Sequence, residues 1–303
     1  MSKQQKEALD AMLRRNPKKF IPASIETMRE HFATLMAQMQ VPANIRKTSM
    51  VLGGRPAILV EPEHEAHTGI ILYFHGGSFS LGSPETAMGL TANLVTRTAM
   101  KAISLDYRLA PENPFPAAID DGVAAYQALL DAGHQASSIC FAGDSAGGGL
   151  TITTCLAARA AGLPLPAAIV AFSPGLDHTR SGMSMDTKAD ADPFFTREGM
   201  RYTGSLYLAG QDPHQPLLSP ATLGDLSGFP PLLLQVGTNE MLLDDSIRLA
   251  ERARAAGVDV ILDVTADVPH VFQAFVGLIE EAEQALDRAA LFLRQKSKTK
   301  TLV

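Results

Sequence analysis

The chain has 303 residues, 46% of them hydrophobic, enough to bury a substantial core as one large domain or as a domain with an insertion. A net charge of −6 and a pI near 5.8 offer no basic face for nucleic acid. The N-terminus, Met1-Ser2-Lys3-Gln4-Gln5-Lys6-Glu7, lacks the apolar run of a signal peptide, and no apolar stretch is long enough to span a membrane. A cytoplasmic protein without stable membrane insertion is expected.

Residues 1 to about 45 carry helical periodicity and no strand, and read as a helical cap segment. Its Met12, Met28, Met36 and Met39, with Phe20 and Phe32, form either the core of that segment or an acyl pocket, and Lys18 and Lys19 read as a solvated helix end. From residue 46 to 303 the pattern alternates. Strands are predicted at Gly69–Phe74, Ala102–Asp106, Ser138–Ala142 and Ala168–Phe172, separated by helices at Ala87–Thr98, Ala117–Ala132 and Leu150–Ala161. Residues about 178 to 225 are too long for an ordinary connection and read as a second cap insertion, with a helical run at Glu198–Leu208. Strand Leu232–Val236, helix Asp245–Ala256, strand Val258–Val264 and a last helix, Phe275–Leu293, complete the series. Continuous rather than alternating hydrophobicity implies strands buried on both faces, so the fold class is α/β with a mainly parallel sheet. Cys140 and Cys155, in one strand and the helix after it, read as buried reduced thiols.

The chemistry concentrates at Gly143-Asp144-Ser145-Ala146-Gly147-Gly148, between a predicted strand and a predicted helix. Strand, sharp turn and helix are the context of a nucleophile elbow, which lifts a serine hydroxyl clear of the sheet. Such a serine needs a base, an acid to orient the base, and donors for an oxyanion. His270, between the strand Val258–Val264 and the last helix, is the base that fits. His31, His64, His67, His134, His178 and His214 have weaker contexts, and no histidine pair has a metal-ligand setting. For the acid, Glu240 leaves the strand Leu232–Val236 at once, whereas Asp244 and Asp245 read as the cap and first turn of the next helix; Glu240 is favoured over Asp244. The oxyanion donors are expected from Gly76, Gly77 and Ser78, together with the amide of Ala146 after the serine. His75 reads as a brace for that loop, and Asp144 as a supporting residue of the elbow.

These residues resemble a family. His75-Gly76-Gly77-Ser78-Phe79, Asp106-Tyr107-Arg108-Leu109-Ala110-Pro111-Glu112, the elbow, Leu218-Ser219-Pro220 and Pro269-His270-Val271, in this order, resemble the bacterial hormone-sensitive-lipase family of esterases. The resemblance implies an α/β-hydrolase fold, a cap over the serine, and hydrolysis of small carboxylic esters, usually with short acyl chains. It implies Ser145 as nucleophile, His270 as base, no cofactor or metal, and a homodimer. Two departures stand out: the family acid is usually an aspartate where Glu240 stands, and the usual third loop glycine is Ser78. Asp106, Tyr107 and Arg108 are expected to brace the donor loop. Acyltransferase, lactonase or amidase activity would use the same triad. A non-catalytic ligand-binding protein on this fold is the other alternative, and the presence of His270 argues against it, because the plant gibberellin receptors that resemble the family have lost that histidine.

Overall fold

The six predicted strands all fall in one 8-stranded sheet in the computed structural model, which describes residues 2–15, 24–64 and 66–297. The strands are β1 (Ile45–Leu52), β2 (Arg55–Pro62), β3 (His67–Phe74), β4 (Met100–Leu105), β5 (Ile139–Asp144), β6 (Ala168–Phe172), β7 (Leu232–Asn239) and β8 (Val260–Pro269). They lie in the order β1-β2-β4-β3-β5-β6-β7-β8. β1 and β2 pair antiparallel, β2 meets β4 antiparallel, and every pairing from β4 through β8 is parallel. All of β5 and β6 is buried, as strands covered on both faces must be.

The β1–β2 hairpin departs from the sequence expectation, which placed no strand before Gly69. Its residues are largely half-exposed or exposed, so the apolar run that marks a doubly buried strand is missing there. β8 also extends beyond Val264 to Pro269, leaving no loop before His270.

The helices are α1 (Ser2–Leu13), α2 (Ile25–Met36), α3 (Met88–Thr98), α4 (Ala117–Asp131), α5 (Ala146–Ala160), α6 (Ser184–Thr187), α7 (Arg197–Leu208), α8 (Pro220–Leu223), α9 (Leu243–Ala255) and α10 (Glu280–Lys296). Along β3 the side chains alternate between two cores. Leu72 and Phe74 pack with residues of α4, α5 and α9, while Ile71 and Tyr73 pack with α3 and α10. The last helix begins at Glu280 rather than Phe275, because Phe272–Ala274 forms a separate 3₁₀ turn. Cys140 and Cys155 are buried and free, and burial pushes both thiols up, that of Cys140 to about 12. No helix among the described residues is long and apolar enough to cross a membrane.

The N-terminal segment lies over the carboxyl ends of the parallel strands. Leu9 of α1 is buried with Val268, Phe272 and Phe275. α2 is fastened by Arg29, whose guanidinium donates to the carbonyls of Ser80 (2.9 Å) and Ala110 (3.0 Å) and to both oxygens of Glu112. Phe20, Lys18 and Lys19 lie outside the described residues.

Candidate active site

Ser145 stands between β5 and α5 with φ 53° and ψ −120°, a backbone conformation that costs a non-glycine residue roughly 1–3 kcal/mol. The chain around it holds that turn. The Ser145 amide donates to the Phe172 carbonyl (2.8 Å), and the Ser145 carbonyl accepts from Gly149 and Gly175 (both 3.0 Å). A side chain at Gly147 would overlap the carbonyl oxygen of Phe74, so only glycine lets α5 approach β3 this closely.

Three side chains from three strand ends form one hydrogen-bonded line. The Ser145 hydroxyl lies 2.9 Å from His270 Nε2, and His270 Nδ1 lies 2.7 Å from Glu240 Oε2. The carboxylate fixes the tautomer: Nδ1–H donates to Glu240, which leaves Nε2 to accept the serine proton. All three residues are buried, Glu240 completely. The second carboxylate oxygen, Oε1, accepts from the Gly237 amide (2.7 Å) and the Ser173 hydroxyl (2.8 Å), and Ser173 Oγ accepts in turn from the Val271 amide (2.9 Å). Ser173 thus ties the acid to the histidine loop. Burial alone would lower the pKa of His270, but the hydrogen bond and charge of Glu240, with the charges of Asp192 and Asp144, outweigh it and hold the imidazole above its ordinary value.

Asp244 is elsewhere. Its Oδ2 accepts the Ser184 amide (2.9 Å), which joins α9 to the second insertion. Asp245 Oδ2 accepts the amides of Leu176 (2.7 Å) and Asp177 (3.0 Å). Both lie in the first turn of α9 as expected, but neither caps it: the helix starts at Leu243 with Leu242 in the cap position and no side-chain cap, and the two carboxylates accept from Ser184 of α6 and from the loop after β6.

The donor loop follows β3. Gly77 and Ser78 line a cavity together with Ser145 and His270. Among the described residues, the amides of Gly77, Ser78 and Ala146 have no hydrogen-bond partner. Gly76 differs, because it sits against the Asp144 carboxylate, where a side chain would overlap Oδ2. Burial raises the Asp144 pKa to about 6, while Tyr73, His270 and the Gly76 backbone act against the rise. Tyr73 donates its hydroxyl to Asp144 Oδ1 (2.8 Å). His75 is completely buried, stacks on Tyr107 at 4.2 Å, and is held neutral by burial, which lowers its pKa to about 4. Tyr107 donates to the His75 carbonyl (2.7 Å), as a brace of the loop should. Arg108 does not brace it; its guanidinium pairs with Asp121 of α4 instead (2.7 Å). No group of acidic, histidine or cysteine residues able to hold a metal occurs among the described residues.

Two spaces open onto the serine. One is a cavity of about 270 Å³ whose walls include Met12, Phe32 and Met39 from the N-terminal segment, Phe194 and Phe195 from the second insertion, and His270. The other is a recess of about 30 Å³ reached past Ser78, Ser145 and Ala146, with His178, Arg180, Met200 and Thr203 in its wall. Sequence reasoning missed Ser173, Asp192, Phe195 and Arg180, and set His178 aside as a histidine of weaker context. Asp192 Oδ1 accepts the amides of Phe194 and Phe195 and its Oδ2 accepts that of Met241 (2.8 Å), so one carboxylate joins the insertion to the turn that carries Glu240. His178 follows β6 by a few residues, at the carboxyl edge of the sheet where open parallel sheets place their ligands; that position was the available signal.

Residues 71–274 match the family model described as alpha/beta hydrolase fold. A crystal structure of an esterase from the bacterial hormone-sensitive lipase family superposes with a TM-score of 0.91 at 38% identity, covering 97% of this chain and 99% of that one. The chain belongs to this family of esterases. An acetyl-hydrolase of Streptomyces hygroscopicus is 42% identical over 224 residues, 74% of this chain and 75% of that protein. A related esterase crystal soaked with p-nitrophenyl butyrate matches at TM-score 0.91 and 37% identity, over 96% of this chain and 98% of the other. The chain is therefore a hydrolase of carboxylic esters on an α/β-hydrolase fold, and its sheet is mainly parallel as expected from the apolar runs, with β1 and β2 as the antiparallel additions.

Proposed function

We propose that this hormone-sensitive-lipase-family esterase is a serine carboxylesterase for short-chain esters, working through Ser145, His270 and Glu240 and an acyl-enzyme. The observation that carries the reading is the continuous Ser145–His270–Glu240 line, with a 2.9 Å and a 2.7 Å contact, facing a cavity under the N-terminal segment. Ser145 Oγ attacks the ester carbonyl as its proton passes to His270 Nε2, and Glu240 stabilises the imidazolium. The free amides of Gly77, Ser78 and Ala146 receive the oxyanion. The carbon–oxygen bond to the alcohol breaks, and the alcohol leaves with the proton held by His270. Water then attacks the acyl-enzyme by the same route and restores the serine.

The two spaces divide the ester. The leaving oxygen must sit beside His270, which lines the large apolar cavity and not the recess. The alcohol therefore occupies the cavity and the acyl chain the recess. In this reading Met12, Phe32 and Met39 contact the alcohol rather than an acyl chain. A recess of about 30 Å³ admits only a few heavy atoms. Longer chains must displace packed side chains, at roughly 1–3 kcal/mol for each overpacked position. Across p-nitrophenyl esters, kcat/KM should peak at acetate to butyrate and fall roughly tenfold or more by decanoate. A maximum at decanoate would place the acyl chain in the large cavity instead.

The base must be neutral to accept a proton, so activity is lost as pH falls through the pKa of His270. Glu240, Asp192 and Asp144 hold that pKa above the ordinary value. The acid limb of kcat/KM, which reports the free enzyme, should have its midpoint above about 6.5. Glu240→Gln removes the main stabilising charge and should move that midpoint down; an unchanged midpoint would assign the limb to another group.

A further inference from the structure

The recess beside Ser145 carries a positive charge that the mechanism above does not use. Arg180, at φ 54°, is one of the residues that line the recess. Among the described residues its guanidinium makes no ion pair and no hydrogen bond, and Nη1 is shielded from solvent without a partner. Unsatisfied donors in such a place are rare enough to need an acceptor. His178, in the same wall, also has a shielded Nδ1 without a partner. Burial, and after it the Arg180 charge, hold His178 neutral by lowering its pKa to about 3, so its ring has one N–H to give.

The neighbouring carboxylates are engaged elsewhere. Asp177 accepts from Thr179, Ser181 and Arg248, the last at 3.2 Å. Asp245 accepts two loop amides through Oδ2 rather than pairing with Arg180; burial lowers the Arg180 pKa, and the charges of Asp245 and Asp177 act against that without a hydrogen bond to the guanidinium. The net charge of −6 does not cancel the local field, because distant surface charges are screened beyond about 8 Å at physiological ionic strength.

We infer that Arg180 and His178 form an anion subsite at the end of the acyl recess, and that the preferred substrates are monoesters of short dicarboxylic acids, with the free carboxylate on Arg180. The inference rests on the triad and on the acyl assignment of the recess. A recess of about 30 Å³ holds on the order of two waters, so only the shortest chains can carry a carboxylate to Arg180 through it. The planar guanidinium offers the paired donors a carboxylate accepts best. Hydrolysis follows the same steps as for a neutral ester: the bond to the alcohol breaks, water supplies the new oxygen, and the product is a dicarboxylate.

The test compares ethyl hydrogen succinate with its neutral isostere, ethyl 4-methylpentanoate, by ethanol release at neutral pH. The wild type should show kcat/KM for the anionic ester at least equal to that for the neutral one. Arg180→Met should lower the anionic-to-neutral ratio roughly 10- to 100-fold, the scale of a lost charge-assisted contact, and Arg180→Lys should recover part of it. Succinate should inhibit wild-type hydrolysis of the neutral ester competitively, which checks the subsite without any variant. The inference is overturned if the wild type cleaves the neutral ester but neither cleaves the anionic one nor is inhibited by succinate. It is overturned equally if Arg180→Met leaves the ratio unchanged. Failure on both esters, with no effect of Ser145→Ala, would instead remove the triad reading on which the inference stands.

Discussion

Glu240→Gln should lower kcat by about 10⁴ while leaving the protein folded, the scale seen when a triad acid is replaced by its amide. The cause is tautomeric. Glu240 Oε2 accepts from His270 Nδ1 at 2.7 Å and so leaves Nε2 free to take the serine proton. An amide can present its NH₂ to Nδ1, which moves the ring proton to Nε2 and blocks the base. It also removes the charge that stabilises the imidazolium. The fold should survive, because a glutamine oxygen can still accept from the Gly237 amide and from Ser173, the partners of Oε1. Asp244→Asn is the matched control. Its carboxylate accepts the Ser184 amide, so the change should cost on the order of 1 kcal/mol in a denaturation experiment and leave kcat near the wild-type value. The reverse outcome, with Asp244→Asn inactive and Glu240→Gln active, would move the acid to Asp244.

Ser145→Ala should cost more, on the order of 10⁶ in kcat, since removal of the nucleophile abolishes the acyl-enzyme route outright. What survives should be about 10³–10⁴ over water, contributed by binding and the oxyanion amides. The backbone at φ 53° should be kept, because the Phe172, Gly149 and Gly175 hydrogen bonds to residue 145 all run through main-chain atoms. The variant is expected to unfold no earlier than the wild type in a thermal scan, which separates lost chemistry from lost structure.

How far the sequence revealed this arrangement depended on the kind of signal. β5 and β6 were legible because every residue in them is buried and the runs are unbroken. β1 and β2 escaped because charged residues break their apolar pattern at the edge of the sheet: Arg46 and Lys47 are exposed, and Glu61 is buried. Ser145 was legible from strand, turn and helix, and Glu240 from leaving β7 at once. The partners of Asp244 and Asp245 were not legible: a carboxylate in the first turn of a helix usually serves its own helix, whereas these two serve loops about 60 to 70 residues away in sequence. Arg180 and His178 carry no local motif. Their meaning lies in what they lack, a protein partner, and that emerges only once the recess has walls.

The most direct test of the central claim is release of p-nitrophenol from p-nitrophenyl butyrate by wild type and by folded Ser145→Ala, measured side by side. Fast turnover by the wild type and none above the oxyanion residue in the variant is the expected result. Comparable turnover by both, or none by a folded wild type, would contradict Ser145 as the nucleophile of an esterase.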